Sequence, residues 1–398
     1  MTGAPITKKT VCDLDVAGKR VLLRADLNVP LGEGGVITDD TRIRESLPTV
    51  RYLLEHGAAV VLCSHLGRPK GPDPSQSLAP VAKRLGELLG SEVAFAPDCV
   101  GDAVEAMAKA TRPGQVLLLE NLRFHAGEEK NDPAFATQLA RLGDLYVNDA
   151  FGAAHRAHAS TEGVTHTLPA VAGLLMEKEV RYLSGLVSNP PRPFAAVVGG
   201  AKVSTKIAAI DHLLPTLDML LLGGGMANTF LKASGFNVQS SLVEDEQVEV
   251  ARRILAEARE RGVAVHQPTD VVAADRFAAD AAIAVVSADA VPAGYMILDI
   301  GPRTVEAYAE ALEKAAAVVW NGPMGVFEME PFARGSFGLA RAIAGLKATT
   351  VVGGGETAAV VARLGLQDQF THVSTGGGAS LEMLEGRVLP GVAALMDQ

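Results

Sequence analysis

The sequence predicts an α/β fold, two three-layer α/β/α domains with mainly parallel sheets joined by a helix. Three observations predict it. Short apolar runs alternate with longer amphipathic segments along all 398 residues, and repeated βα alternation builds parallel sheets covered by helices. The runs number about a dozen, too many for one ordinary sheet. The densest proline cluster, Ser188-Asn189-Pro190-Pro191-Arg192-Pro193, falls between the two sets of runs.

In the first half the runs are Val21-Leu22-Leu23, Ala59 to Cys63, Val116 to Leu119 and Leu145-Tyr146-Val147. A helix over roughly Ala172 to Val187 precedes the proline cluster and is expected to be the connector. In the second half the runs are Phe194 to Val198, Met219 to Leu222, Val263-Ala264-Val265, Ala282 to Val286, Ala317 to Trp320, Thr350 to Val352 and His372-Val373. Between them, Gln247 to Glu260 is apolar at helical spacing.

Hydrophobic content of 48% and charged content of 21% are those of an ordinary globular chain. A net charge of −10 argues against a general nucleic-acid binder. It leaves room for a small anionic substrate held by a local cluster of arginine and lysine. Aromatic residues make up 5%, too few for base-stacking platforms. No apolar run is long enough to span a bilayer, and Met1 to Thr10 has no signal-peptide core. Cys12, Cys63 and Cys99 are isolated, which reads as reduced thiols in a cytoplasm.

In open parallel sheets ligands bind at the carboxyl ends of the strands, so the residues after each run carry the functional reading. In the second half they are glycines: Gly199-Gly200, Gly223-Gly224-Gly225, Gly322, Gly353-Gly354-Gly355 and Gly376-Gly377-Gly378. Five such turns at one rim suggest a surface shaped to a polyanion. After Gly199-Gly200, Lys202 and Lys206 are expected on the first turns of one helix, sharing a face. In the first half the strand ends carry charge: Arg24, Asp26 and Asn28; His65 and Arg68; Arg123; His155 and Arg156, with Arg42 in a further loop. Arginine forks bind phosphate and carboxylate in a bidentate way. One half thus reads as a nucleotide-phosphate domain and the other as a domain for a small anion. Phosphoryl transfer joins them, and it needs charge neutralisation and in-line positioning. A carboxylate acceptor needs no general base, and no residue stands out as one.

These residues together resemble the phosphoglycerate kinase family over essentially the whole chain. The motifs are Arg24-Ala25-Asp26-Leu27-Asn28-Val29-Pro30, Ser64-His65-Leu66-Gly67-Arg68-Pro69, Leu119-Glu120-Asn121-Leu122-Arg123-Phe124 and Asn148-Asp149-Ala150-Phe151-Gly152 with His155-Arg156-Ala157-His158. Further on come Gly199-Gly200-Ala201-Lys202-Val203, Gly223-Gly224-Gly225-Met226-Ala227, Trp320-Asn321-Gly322-Pro323-Met324-Gly325-Val326-Phe327-Glu328 and Ser374-Thr375-Gly376-Gly377-Gly378-Ala379-Ser380.

The resemblance implies a monomeric, cytoplasmic enzyme of two Rossmann-like domains that bends at a hinge. It would transfer phosphate reversibly between 1,3-bisphosphoglycerate and Mg-ADP, giving 3-phosphoglycerate and Mg-ATP, with no membrane or nucleic-acid partner. Residues 1–171 would hold the glycerate and 172–188 would form the interdomain helix. Residues 189–384 would hold the nucleotide, and 385–398 would pack back on the N-terminal domain. Asp26 and Asn28 would bind the glycerate. His65, Arg68, Arg123 and Arg156 would hold the phosphate that stays, with Arg42 by the reacting carboxyl. Lys206, joined by Lys202, would hold the moving phosphoryl. The Gly376, Gly377 and Gly378 turn would offer N–H groups to the developing charge. Asn321, Glu328, Ile297 and the Gly353, Gly354, Gly355, Glu356 and Thr357 stretch would line the nucleotide, with Glu356 reaching the magnesium.

Two positions depart from the family pattern. Glu356 stands where an aspartate is usual, one methylene longer. Ile297 stands where glycine meets adenine, and its branched side chain is expected to reshape that slot. A nicotinamide-dependent dehydrogenase would draw on Gly353 to Ala358 as G-x-G-x-x-A, but a lone match is weak, and the next strand ends in Ser374-Thr375 without an acid for a ribose. There is no GxxxxGK[ST], HRD or DFG of the P-loop or protein kinases. A catalytically silent nucleotide-binding protein on this fold is the third reading. His155 and His158 have metal-ligand spacing, but no further Cys or His accompanies them.

Overall fold

The computed structural model describes residues 7–398. The absence of a signal peptide, read over Met1 to Thr10, concerns in part residues 1–6, which lie outside the described residues. The described residues divide into two compact units, one of residues 7–181 with 388–398 and one of residues 182–387.

The N-terminal unit runs β1 (Arg20–Arg24), α1 (Thr41–Glu55), β2 (Ala59–Cys63), α2 (Ala79–Leu89), β3 (Val93–Phe95), α3 (Asp102–Ala110) and β4 (Val116–Leu118). It continues through α4 (Ala126–Glu129), α5 (Pro133–Ala140), β5 (Leu145–Asn148) and β6 (Ala170–Ala172). Helix α6 (Leu174–Ser188) follows, and the division between units falls within it. The six strands form one parallel sheet in the order β3-β4-β2-β1-β5-β6. Strand β2, Ala-Val-Val-Leu-Cys, is buried throughout, as a central parallel strand covered on both faces must be. Helix α1 buries Ile43, Leu47, Val50 and Leu53, one stripe at helical spacing, into the core with Val21, Leu23, Val60 and Leu62. Residues 388–398 close the same unit. Met396 N–H donates to Ala170 O at 3.0 Å and Gly391 N–H to Ala154 O at 2.9 Å.

The C-terminal unit runs β7 (Phe194–Val198), α7 (Ile207–Leu213), β8 (Met219–Leu222), α8 (Gly224–Ala233), α9 (Val248–Arg261), β9 (Ala264–His266), β10 (Asp270–Ala274), β11 (Ile283–Ser287) and β12 (Met296–Ile300). Then come α10 (Pro302–Leu312), β13 (Ala317–Asn321), α11 (Arg334–Ala344), β14 (Thr349–Gly353), α12 (Gly355–Arg363), β15 (His372–Val373) and α13 (Gly378–Leu384). The short α14 (Pro390–Ala393) belongs to the other unit. Six strands form a parallel sheet in the order β15-β14-β13-β7-β8-β9. Trp320 is buried at its centre with Tyr308, Leu339 and Val360. A second, antiparallel sheet of β11-β10-β12 stands beside it. The periodicity reading anticipated neither this sheet nor strands β3, β6, β10 and β12. Among the described residues, no helix is long and apolar enough to cross a membrane.

Each parallel sheet reverses its strand order once. In the N-terminal unit the reversal lies between β1 and β5, and in the C-terminal unit between β7 and β13. Such switch points open crevices at the carboxyl ends of the strands. The register puts Arg24 beside Asn148 at the first and Asn321 beside Val198 at the second.

Candidate functional site

At the N-terminal unit's switch point the chain leaves β1 through Asp26 and Asn28. Arg42, one residue into α1, reaches back across this turn. Its Nη1 donates to Asp26 Oδ1 and Oδ2, each at 3.1 Å, and to Asn28 O at 3.2 Å. Asn28 Oδ1 accepts from Gly67 N–H at 2.9 Å, tying this turn to the one after β2. Arg123 belongs to the short turn after β4 and donates to Gly67 O at 2.6 Å. Arg156 lies against His155, its Nε donating to His155 Nε2 at 3.2 Å.

Below them lies a buried network that sequence reading did not find. Arg24, 1% exposed, donates from Nε to Ser160 Oγ at 2.8 Å and faces His65 Nδ1 with Nη2 at 3.1 Å. The Ser160 hydroxyl donates onward to Glu128 Oε1 at 2.6 Å. Glu128 is fully buried, so Arg24 supplies its countercharge through the serine. A guanidinium can only donate. His65 Nδ1 therefore accepts, and the imidazole is neutral with its proton on Nε2. Burial, then Arg24, Arg123 and Arg42, hold its pKa well below the usual histidine range. Burial and Arg123 likewise push His158 down to about 4. His65, Arg42, Arg123 and Arg156 thus form one electropositive cluster. Arg68 stands exposed on the Gly67 turn. Glu128 and Ser160 left no signal in the sequence, since Glu128-Glu129-Lys130 reads as a solvated surface run.

In the C-terminal unit the two lysines do not share a helix face, contrary to the sequence expectation. Lys202 is extended, residues Val203–Thr205 form a separate 3-10 turn, and α7 begins only at Ile207. Glu244 holds that turn out of helix by accepting from Ser204 N–H at 2.9 Å and Ser204 Oγ at 2.5 Å. Lys206 is part-buried, and its Nζ donates to Asn321 Oδ1 at the end of β13. Lys202 is exposed.

The glycines divide into two kinds. A Cβ on Gly224 would come within 2.6 Å of the Gly200 backbone, and one on Gly322 would strike the Gly199 backbone. These two, both at positive φ, let the strand-end turns pack on each other. Gly354 and Gly377, also at positive φ, have nothing closer than 3.5 Å to an added Cβ, and Gly355 has open space. Gly353 lies at the end of β14 beside Asn321. Asn321 Nδ2 is buried with no hydrogen-bond partner among the described residues.

Glu356 is exposed in the first turn of α12 and within electrostatic reach of Lys206. Thr357 is buried, its hydroxyl accepting from Gly322 N–H at 2.7 Å. Gly376 N–H is engaged by Ser374 Oγ at 3.1 Å, and Gly377 and Gly378 open α13. Glu328 is exposed. The Ile297 side chain is 8% exposed and packs with Leu231, Val238, Val271 and Val291.

Fold and rims together define a two-unit α/β chain with a cationic cluster at one switch point and a lysine among glycine turns at the other. A phosphoglycerate kinase family model matches residues 11–387. The chain is 60% identical to "Phosphoglycerate kinase" of Chloroflexus aurantiacus, covering 98% of this chain and all of that one. It is 58% identical to "Phosphoglycerate kinase, cytosolic" of Triticum aestivum, covering 97% of each. The structure of phosphoglycerate kinase from Coxiella burnetii superposes with a TM-score of 0.89 at 44% identity, over 97% of this chain and 98% of that one. The chain belongs to the phosphoglycerate kinase family, phosphotransferases of the reversible phosphoryl-transfer step of glycolysis. The dehydrogenase reading falls with this.

Proposed function

We propose that the chain moves phosphate reversibly from the acyl phosphate of 1,3-bisphosphoglycerate to Mg-ADP, giving 3-phosphoglycerate and Mg-ATP, with the residues placed above. The observation that carries this is Lys206, part-buried at the β7/β13 switch point with its ammonium on Asn321. A desolvated cation among open glycine turns is a site for the phosphoryl group in flight. The orphaned Asn321 Nδ2 beside Gly353 adds a donor for phosphate oxygen, and Lys202 joins from the turn before α7. Gly354, Gly355, Gly377 and Gly378 let backbone approach the charge, and Glu328 takes the ribose hydroxyls.

In the N-terminal unit Asp26 and Asn28 orient the glycerate. His65, as a neutral Nε2–H donor, acts with Arg68, Arg123 and Arg156 on the phosphate that stays. Arg42 neutralises the reacting carboxyl. That carboxyl is already ionised near neutral pH, so no general base is required. Magnesium arrives with the nucleotide as part of the substrate. It prefers oxygen ligands and keeps several waters, and the exposed Glu356 carboxylate facing Lys206 fits that preference. Hinge-bending that brings the bound substrates together, a monomeric state and a cytoplasmic location complete the reading.

The test is a coupled assay of purified protein with 3-phosphoglycerate, Mg-ATP, glyceraldehyde-phosphate dehydrogenase and NADH. NADH loss that requires 3-phosphoglycerate and disappears in Lys206→Ala is the expected result. No loss, from folded protein that binds ATP, rejects the reading in favour of a silent nucleotide-binding protein.

A further inference from the structure

We propose that Asp98, Cys99 and His125 form a binding site for one zinc-class divalent cation, separate from the phosphate-binding cluster. The two segments come from different strand ends. Asp98 and Cys99 lie between β3 and α3, and His125 lies just beyond the turn after β4. A carboxylate oxygen, the thiol sulfur and a ring nitrogen all lie within 4.8 Å of one another. It is the one group of three or more such donors found among the described residues. His155 and His158, the pair with ligand spacing in the sequence, are not in it.

The donor set selects the ion. Sulfur, imidazole nitrogen and a single carboxylate suit zinc and its neighbours, and they do not suit magnesium or calcium. Bond lengths of about 2.0–2.3 Å place tetrahedral donors roughly 3.3–3.8 Å apart. His125 Nε2 and Asp98 Oδ1 now stand at 2.6 Å as a hydrogen-bonded pair. Admitting an ion requires that pair to open by under about an ångström, and the sulfur, within 4.8 Å of both, to approach by up to a similar amount. Both side chains have room to do so, being 34% and 47% exposed.

The surroundings hold the donors in place. Cys99 is fully buried, which fixes its sulfur. The His125 ring stacks on Phe135 at a centroid distance of 5.4 Å. Asp98 Oδ1 accepts from Cys99 N–H at 2.6 Å, and Asp98 O accepts from Glu120 N–H at 3.4 Å, which links the two segments. Three protein ligands with two of them on the surface leave the fourth position to water, as in open zinc sites. Bound as thiolate and carboxylate, Cys99 and Asp98 would neutralise the two charges of the ion, and the thiol proton would pass to solvent.

The test uses the full chain without nucleotide, with Cys12→Ser removing the exposed thiol. Cobalt(II) is the spectroscopic probe and zinc the competitor. One equivalent of cobalt is expected to produce a thiolate-to-metal charge-transfer band in the near ultraviolet, erased by one equivalent of zinc. Asp98→Asn, which retains the oxygen that accepts from Cys99 N–H, and His125→Gln should each weaken binding at least ten-fold. Cys99→Ala should abolish the band. Absence of the band in the parent protein overturns the proposal, as does its survival in Cys99→Ala. Should Cys99→Ala fail to fold, the two surface variants decide, and unchanged affinity in both refutes the site.

Discussion

Burial holds the Lys206 ammonium below the usual lysine range, while Glu356 and Glu385 act in the opposite sense. A charge at the margin of an apolar pocket interacts more strongly with a phosphoryl group than one in bulk water. Lys206→Ala is therefore expected to lower kcat by roughly 10²–10³-fold, with the KM for 3-phosphoglycerate little changed, because the residues proposed to hold that substrate lie in the other unit. Steady-state kinetics in both substrates checks this, and a loss confined to KM would refute it. The Arg24–His65 contact makes a second prediction. His65 should remain a neutral Nε2–H imidazole as pH passes through the ordinary histidine value of 6.5, since burial and the neighbouring arginines hold its pKa well below that. Nitrogen-15 spectra of the histidine rings on either side of that value provide the check, and a His65 signal titrating near 6.5 would contradict the buried network. Neither role of Arg24 could be read from sequence. His65 and Arg123 were legible because they closely follow apolar runs, and a parallel sheet delivers such positions to one rim; Arg42 and Arg156 lie further along the chain and were legible by the motif resemblance and the recurrence of arginine. Glu128 and Ser160 act only through a contact made across more than thirty residues of chain.

Helix α6 owes its start to one buried carboxylate. Asp149 Oδ1 accepts from Leu175 N–H at 2.9 Å and Met176 N–H at 3.1 Å, satisfying two first-turn donors. Gly173 leaves the space, since an added Cβ there would strike the Asp149 side chain. Burial raises the Asp149 carboxyl to about 6. The folded state thus holds this proton more tightly than the unfolded chain, whose value is near 3.9. The stability from this group is complete below about pH 4 and is lost as pH rises through 6, roughly 3 kcal/mol in all. Asp149→Asn keeps one acceptor oxygen and cannot ionise. Relative to wild type its stability should rise by roughly 2 kcal/mol between pH 4 and pH 7; Asp149→Ala, which cannot ionise either, should show the same drift from a starting point about 2–4 kcal/mol lower. Urea denaturation at the two pH values measures the difference, and an Asn variant whose offset does not move with pH would show ordinary ionisation.

Elements were legible in proportion to how continuously apolar they are. The five-residue runs of β2, β7 and β13 are buried throughout and were found. Strand β3 has three residues and none fully buried, so neither length nor period marks it. Strand β12 carries a buried aspartate, Asp299, inside its run, and β10 opens on another, Asp270, with only four apolar residues after it. The antiparallel sheet they form with β11 was hidden by the break within β12 and the shortness of the apolar stretch in β10. The expected lysine-bearing helix start failed for a different reason. Glu244, some forty residues on, captures Ser204 and holds a 3-10 turn where local spacing favours α-helix.

At the scale of the whole chain, the C-terminal end is a structural part of the N-terminal unit. Leu389, Val392 and Leu395 are each 2–3% exposed, and Lys8 Nζ donates to Leu395 O at 2.9 Å and to Asp397 Oδ1 at 2.6 Å. Asn148 Nδ2, at the end of β5, donates to Gly391 O at 3.2 Å. Three buried aliphatic side chains correspond to roughly 5–8 kcal/mol of lost burial when removed. A chain ending at Arg387 is therefore expected to destabilise the N-terminal unit selectively. Two probes can separate the units. The single tryptophan, Trp320, is fully buried in the core of the C-terminal unit, so its fluorescence follows that unit alone, while far-ultraviolet circular dichroism follows both. In the truncated chain the dichroism should show a first transition at markedly lower urea, and the fluorescence midpoint should stay close to that of the full chain. Binding should divide in the same way, with affinity for 3-phosphoglycerate falling at urea concentrations where ATP still binds. If both probes shift together by the same amount, residues 388–398 stabilise the molecule as one cooperative block, and the separation of the two cores as folding units is wrong.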